Sequence, residues 1–157
     1  MQDSRIETFA ARAEPYLYAT LRIVAGALFA FHGVQKLFGV HAPFVPAFGS
    51  QLWVGAVIEL VGGALIALGL FTRPVAFLAA GQMAVAYFQF HWKLALGDGM
   101  WLPAVNKGEL AVLYCFLFLL VAAHGSGLAS LSHLARRSSV RGEETDRDRR
   151  FVGPPAR

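Results

Sequence analysis

A chain of 157 residues is long enough for one domain, but 56% hydrophobic residues, 15% charged residues and a mean hydropathy of +0.50 exclude an ordinary water-soluble surface. The net charge of +4 does not point to nucleic acid, because seven of the fourteen basic residues are C-terminal arginines interrupted by Asp and Glu. The single cysteine, Cys115, lies in an apolar run; a disulfide within the chain, a CxxC redox pair and a cysteine-ligated cluster are excluded, so any redox chemistry needs a borrowed cofactor.

The charges are unevenly placed: five in positions 1–16, eleven in 125–157 and only eight in the 108 residues between. That middle contains four apolar runs, about Tyr16–Phe38, Leu52–Phe71, Pro74–His91 and Gly108–His124. Each is near the ~17–25 residues that a helix needs to cross a hydrocarbon core. The expected fold is all-α, a polytopic membrane four-helix bundle with both termini cytoplasmic, divided into an N-terminal segment (1–15), a membrane domain (16–132) and a charged tail (133–157).

In chain order, residues 2–14 place Ile6, Phe9, Ala10 and Ala13 at helical spacing among charges, as either a short surface helix or an extension of the first span. The first run follows polar-rich residues, contains Arg22 and lacks a small-residue cleavage site, so it reads as a retained span. Within it Arg22, Gly26, Phe29, Gly33 and Lys36 fall within about 40° of one line, a stripe of glycines and charges that should face other helices. Pro15 and Pro74 suit helix first turns, where a missing N–H costs nothing.

The second run carries Gly55, Glu59, Gly62, Gly63 and Ile66 on one face. Glu59 is the one acid well inside a span, where a carboxylate takes up a proton or pairs with a base. Helix rise sets it about 10 Å below the outer end of its helix, in a layer shared with His32 and Lys36, and contact among the three, direct or through water, is expected. Thr72-Arg73-Pro74 forms a tight connection that makes the second and third runs an antiparallel hairpin. The third run adds Gln89 and His91 to the outer half, and the fourth begins with Asn106, Lys107 and Glu109; Arg22, Arg73, Gln82 and His124 are assigned to the inner half. His32 and His91 have no third ligand and no haem motif beside them, so no metal site is expected. The tail from Arg136 onward reads as disordered and solvated.

The basic residues set the orientation. Arg5, Arg12, Arg73 and the seven tail arginines face Lys36, Lys93 and Lys107 across the bilayer, which puts both ends inside; Trp53, Trp92 and Trp101 then share the outer interface.

These same residues resemble the DoxX family of small four-helix membrane proteins. Leu21-Arg22-Ile23 through Gly26, and His32-Gly33-Val34-Gln35-Lys36-Leu37-Phe38-Gly39, are similar to its R-x-x-x-G and H-G-x-x-K-L-F-G patterns. Glu59-Leu60-Val61-Gly62-Gly63 and Gly69-Leu70-Phe71-Thr72-Arg73 resemble its second-helix pattern, and Asn106-Lys107-Gly108-Glu109-Leu110-Ala111 looks like the N-x-G-E-x-A of one branch. Ser132 stands where the family often has an aspartate, so that acid's role does not carry over. The resemblance implies a bacterial plasma-membrane protein of a group to which oxidoreductase roles are ascribed, with links to quinones, catechol stress and oxidative-stress complexes.

Two functions are therefore expected to compete. In one, an outward-facing polar pocket binds a quinone or other lipophilic small molecule, with Glu59, His32 and Lys36 as reacting groups and Arg22, Gln89, His91, Asn106 and Glu109 as binding groups. No nucleotide fingerprint is present, so electrons come from a redox partner protein and no cofactor is intrinsic. In the other, the chain is a non-catalytic scaffold or small-molecule carrier whose charges hold helices together or line a passage. The glycines serve either packing within the chain or a homo-oligomer interface.

Overall fold

The structure is a computed structural model that describes residues 2–97 and 99–132. The expected disordered tail, 133–157, lies outside the described residues. Among the described residues every regular element is helical: α1 (Gln2–Phe38), α2 (Gln51–Val57), α3 (Gly63–Leu68), α4 (Thr72–Ala86), α5 (Pro103–Asn106) and α6 (Glu109–His124). Wider π-helical turns at Ile58–Gly62 and Tyr87–Trp92 join α2 to α3 and extend α4. Two described helices, Arg5–Phe38 and Gln51–Leu68, are long and apolar enough to cross a membrane, and Glu109–His124 is a shorter apolar helix.

The N-terminal segment is an extension of the first span, because α1 runs unbroken for 37 residues. Pro15 therefore sits inside a helix and not in a first turn. Its ring removes the bond to the Ala11 carbonyl, but the Ala, Glu and Arg residues upstream are strong helix formers and carry the helix past it. Pro74 does lie in the first turn of α4, where its missing N–H has no helical partner to lose. The tight connection falls earlier than Thr72-Arg73-Pro74. Gly69 ends α3 with φ 72°, its N–H donates to Ile66 O (3.1 Å), and the Leu70 N–H donates to Leu65 O (2.9 Å). This left-handed cap reverses the chain in three residues.

Side-chain and backbone contacts make neighbouring helices antiparallel. Along α1, Gly26 meets Gly63 and Ala67, whereas Gly33 meets Ala56 and Leu60. Backbone touches backbone there: a Cβ on Gly26 would lie 2.6 Å from Ala67 N and 2.7 Å from Gly63 O. The glycine stripe is thus used inside the chain, for the close approach that small residues permit. Between these glycines, Phe29 packs edge-on to Phe118 (ring centroids 4.7 Å) and against Tyr114 (5.5 Å) of α6. Ala76, Ala79 and Ala80 of α4 and Val121 of α6 are buried in the same core.

The end holding Arg22 and Arg73 is tied by guanidinium groups bound to carbonyls. Arg22, 0% exposed, donates to Ile66 O (2.5 Å), Ala67 O (2.8 Å), Leu128 O (3.3 Å) and Ala129 O (2.9 Å). Arg73 donates to Ala122 O, Ala123 O and His124 O at 3.2, 2.7 and 3.2 Å. Arg22 binds Ile66 O and Ala67 O at the C-terminus of α3, and Arg73 binds the last carbonyls of α6, where the helix dipole is negative. Ser132 donates its hydroxyl to Gly69 O (2.6 Å), and Tyr18 donates to Gly125 O (2.5 Å) while its ring stacks on His124. The segment after α6 is folded back and fastened.

Candidate functional site

Ser50 starts the helix that carries Glu59: its hydroxyl accepts the Trp53 N–H at 3.2 Å, a standard N-cap. Seven residues later the helix widens into the π turn Ile58–Gly62, and Glu59 lies in that turn. π turns within α-helices are often found at functional sites, because the displaced register re-aims a side chain. Glu59 is only 2% exposed.

Its carboxylate has two partners from two helices. The Lys36 ammonium of α1 lies 2.5 Å from Oε1, and Gln82 Nε2 of α4 donates to the same oxygen at 3.1 Å. Gln82 Nε2 also donates to the Gly55 carbonyl at 3.1 Å. The second carboxylate oxygen, Glu59 Oε2, and the amide oxygen, Gln82 Oε1, are buried without a hydrogen-bond partner.

A groove of about 670 Å³ opens beside this cluster, between the Gln51–Leu68 helix and α4. Val54, Ile58, Phe77, Leu78, Val85 and Phe90 form its walls, Glu59 and Gln82 line its base, and Lys36, Gln51 and His91 line it as well. Phe77 and Leu78 are exposed, so the groove faces sideways, toward what would be the acyl chains of a bilayer. Its volume is within the ~300–1,000 Å³ of ordinary small-molecule sites, and apolar walls with a few convergent polar groups are their usual composition. This differs from the polar, outward-opening pocket expected above: Lys36, Glu59 and Gln82 turn toward one another, which leaves apolar residues to form most of the walls.

The structure unites some of the expected residues and separates others. Lys36 and Glu59 are in contact, but His32 is not with them: its Nδ1 meets Gln35 Oε1 at 3.1 Å, and its ring meets Tyr114 edge-on. Gln89 is exposed and accepts from Gln51 Nε2 at 2.5 Å. His91 lines the groove and approaches the Asn106 carbonyl at 3.3 Å. Asn106 fastens the loop before α6: its Nδ2 donates to Met100 O (2.9 Å) and its Oδ1 accepts from Gly108 N (2.8 Å). Glu109 is exposed in the first turn of α6, where the helix dipole favours an acid, and Arg22 lies at the opposite end of the molecule.

Gln82 is the residue that the sequence reading misplaced. It belongs with Glu59 and not with the inner polar groups, because it sits at the midpoint of Thr72–Trp92, level with an acid eight residues into the facing helix. Residue counting along both helices was the signal available. The two π turns, one carrying Glu59 and the other Gln89 and His91, have no such signal.

Long apolar helices joined through glycines around a buried acid define an all-helical protein of the membrane class. The DoxX sequence profile matches residues 17–92. An uncharacterized protein of Haemophilus influenzae is 40% identical over 123 residues, which cover 76% of this chain and 90% of that protein. The chain belongs to the DoxX family. A Bacillus subtilis protein named "Putative oxidoreductase CatD" is 39% identical over 66 residues, covering 38% of this chain and 48% of that protein. No solved structure matches the chain.

Proposed function

We propose that this protein is a four-span component of a bacterial inner membrane, with both termini cytoplasmic, that binds a quinone or similar lipophilic ring in the groove between the Gln51–Leu68 helix and α4. The observation that carries the reading is the conjunction at one place: a laterally open apolar groove with an ion-paired carboxylate and an amide at its base. A ring arriving through the acyl chains needs no aqueous entrance, and its oxygens would meet Glu59, Gln82 and Lys36. Such a ring would supply two-electron redox chemistry. The chain's own part would be to hold the ring, exclude water and offer a carboxylate and an ammonium as proton-exchanging groups. Electrons would come from a partner protein. The oxidoreductase name of the Bacillus subtilis relative agrees with this reading over the 66 matched residues.

The orientation rests on ten basic residues against three, and the four spans on the antiparallel contacts along α1, the Gln51–Leu68 helix, α4 and α6. The experiment is binding of a lipophilic quinone to protein in lipid nanodiscs, compared with Gly81→Phe. Gly81 lines the groove and a Cβ there has no atom within 4 Å, so the new ring fills the groove without a backbone collision. Saturable binding lost in Gly81→Phe supports the site; binding unchanged by that substitution, or absent from the native protein, refutes it.

A second reading has its own observation. The Lys36–Glu59 pair bridges α1 to the second helix, as a purely structural buried ion pair in a scaffold or carrier would. Collapse of the fold in Glu59→Gln, with ligand binding absent throughout, would favour it.

A further inference from the structure

The two orphaned oxygens at the base of the groove have a chemical consequence. Glu59 Oε1 is occupied by Lys36 and Gln82, whereas Glu59 Oε2 is buried and unpartnered. Gln82 Oε1 is in the same state. The amide orientation is fixed by its surroundings. The atom of Gln82 that contacts Gly55 O and Glu59 Oε1 faces two acceptors and must be the NH₂ group, so the unpartnered atom is the carbonyl oxygen. The carboxylate is ion-paired to an ammonium, so its free oxygen is likewise an acceptor. Buried acceptors are almost always satisfied, and two of them beside a groove define a site that lacks donors.

We infer that the site is built for the hydroxyl-bearing, reduced form of its lipophilic ring, a dihydroxy aromatic whose O–H groups donate to Glu59 Oε2 and Gln82 Oε1, in preference to the oxidised dione, which has only acceptors. This inference rests on the groove being a ring-binding site, as proposed above. A dione would face these oxygens with its own lone pairs and leave them desolvated, whereas the diol satisfies them. Discrimination of this kind is strong because the penalty for the wrong partner falls on groups already buried. Lys36 narrows the preference without cancelling it: one N–H is held by Glu59 Oε1, and the two that remain serve a ring oxygen of either form, whereas the two orphaned acceptors are satisfied by O–H donors alone.

The test needs only the native protein. In nanodiscs under anaerobic reducing conditions, the dissociation constants of a trimethylhydroquinone and its dimethyl ether are measured by calorimetry, and that of the matching quinone without reductant. The diol should bind about tenfold to a hundredfold more tightly than the ether and the quinone, as two restored hydrogen bonds to buried acceptors imply. Gln82→Met removes the Oε1 acceptor, together with the donors to Gly55 O and Glu59 Oε1, without changing charge, and the diol's margin over the ether should shrink there. If all three ligands bind alike in a manner blocked by Gly81→Phe, the groove stands as a ring site and the preference is overturned. Tighter binding of the quinone overturns it too. If none binds, both the site and the preference fall.

Discussion

Gly26→Ala should destabilise the protein, although alanine is the better helix former. The added Cβ would lie 2.6 Å from Ala67 N, 2.7 Å from Gly63 O and 3.0 Å from Ala67 Cα, all backbone atoms. Ordinary contact begins near 3.4 Å, so α1 and α3 must separate by roughly 0.8 Å (3.4 less 2.6) at this point. No rotamer relieves the clash. Overpacking of this kind costs about 1–3 kcal/mol, and a backbone collision belongs at the upper end. Helix propensity returns about 1 kcal/mol, for a net loss of about 2 kcal/mol. The control is Gly81→Ala in α4, where a Cβ has no atom within 4 Å; the same propensity term acts alone there and should stabilise by up to about 1 kcal/mol. Unfolding by titration with sodium dodecyl sulfate, followed by circular dichroism in mixed micelles, measures both. If the two variants unfold at the same detergent fraction, the close approach at Gly26 is wrong. A change in oligomeric state in Gly26→Ala with unaltered monomer stability would instead assign the glycine to an interface between copies.

The ion pair should respond asymmetrically. Lys36→Met strands a carboxylate that is 2% exposed and should cost about 3–5 kcal/mol, whereas Glu59→Gln leaves a Lys36 side chain that is 42% exposed and free to extend toward water, costing about 1 kcal/mol in the same detergent titration. Equal losses would show that Glu59 is not sealed from water. Arg22→Leu removes the guanidinium donors to the carbonyls of Ile66, Ala67, Leu128 and Ala129, of which Ile66 O keeps the Gly69 N–H, and should cost about 3 kcal/mol; limited proteolysis should then cut near residues 125–130, and an unchanged digestion pattern would contradict the fastening role. Gly69→Ala forces a side chain into φ 72° and against Ser130, so it should lower stability by more than about 1 kcal/mol in thermal unfolding; a neutral result would mean that the α3–α4 turn has another geometry.

Much of the helical layout was legible because the bilayer imposes a length and a composition on each crossing segment. The stripe of Gly26, Gly33 and Lys36 was readable for the same reason: helical periodicity puts those residues on one line, and small residues mark where backbones touch. Boundaries were less legible. Pro15 suggested a start because proline removes a bond, yet one lost bond is outweighed by helix formers on both sides, and α1 continues through it. The turn before α4 was displaced by three residues because Thr72-Arg73-Pro74 resembles a break, whereas the left-handed residues are Gly69 and Phe71.

The candidate site was half legible. Helix rise set His32 in one layer with Lys36 and Glu59 but did not fix which way each side chain faces, and Gln82 was assigned to the inner groups although residue counting puts it level with Glu59. Between Ile58 and Gly62 the helix widens into a π turn, and Glu59 emerges within it, toward Lys36 and Gln82 and away from the side where His32 meets Tyr114. A second π turn carries His91 to the rim of the same groove. Both irregularities border the apolar groove, and neither is stabilised by a side-chain cap. A widened turn gives up regular helical geometry, and here each one carries a polar side chain, Glu59 or His91, that lines the groove. If the winding serves the groove, inserting alanine after Val57 should rotate Glu59 by about 100° and separate it from Gln82, while deleting Val61 should convert the π turn to α-helix. Both variants should lose ring binding while circular dichroism keeps its helical signal. Retained binding in the deletion would show that the site does not depend on the π turn.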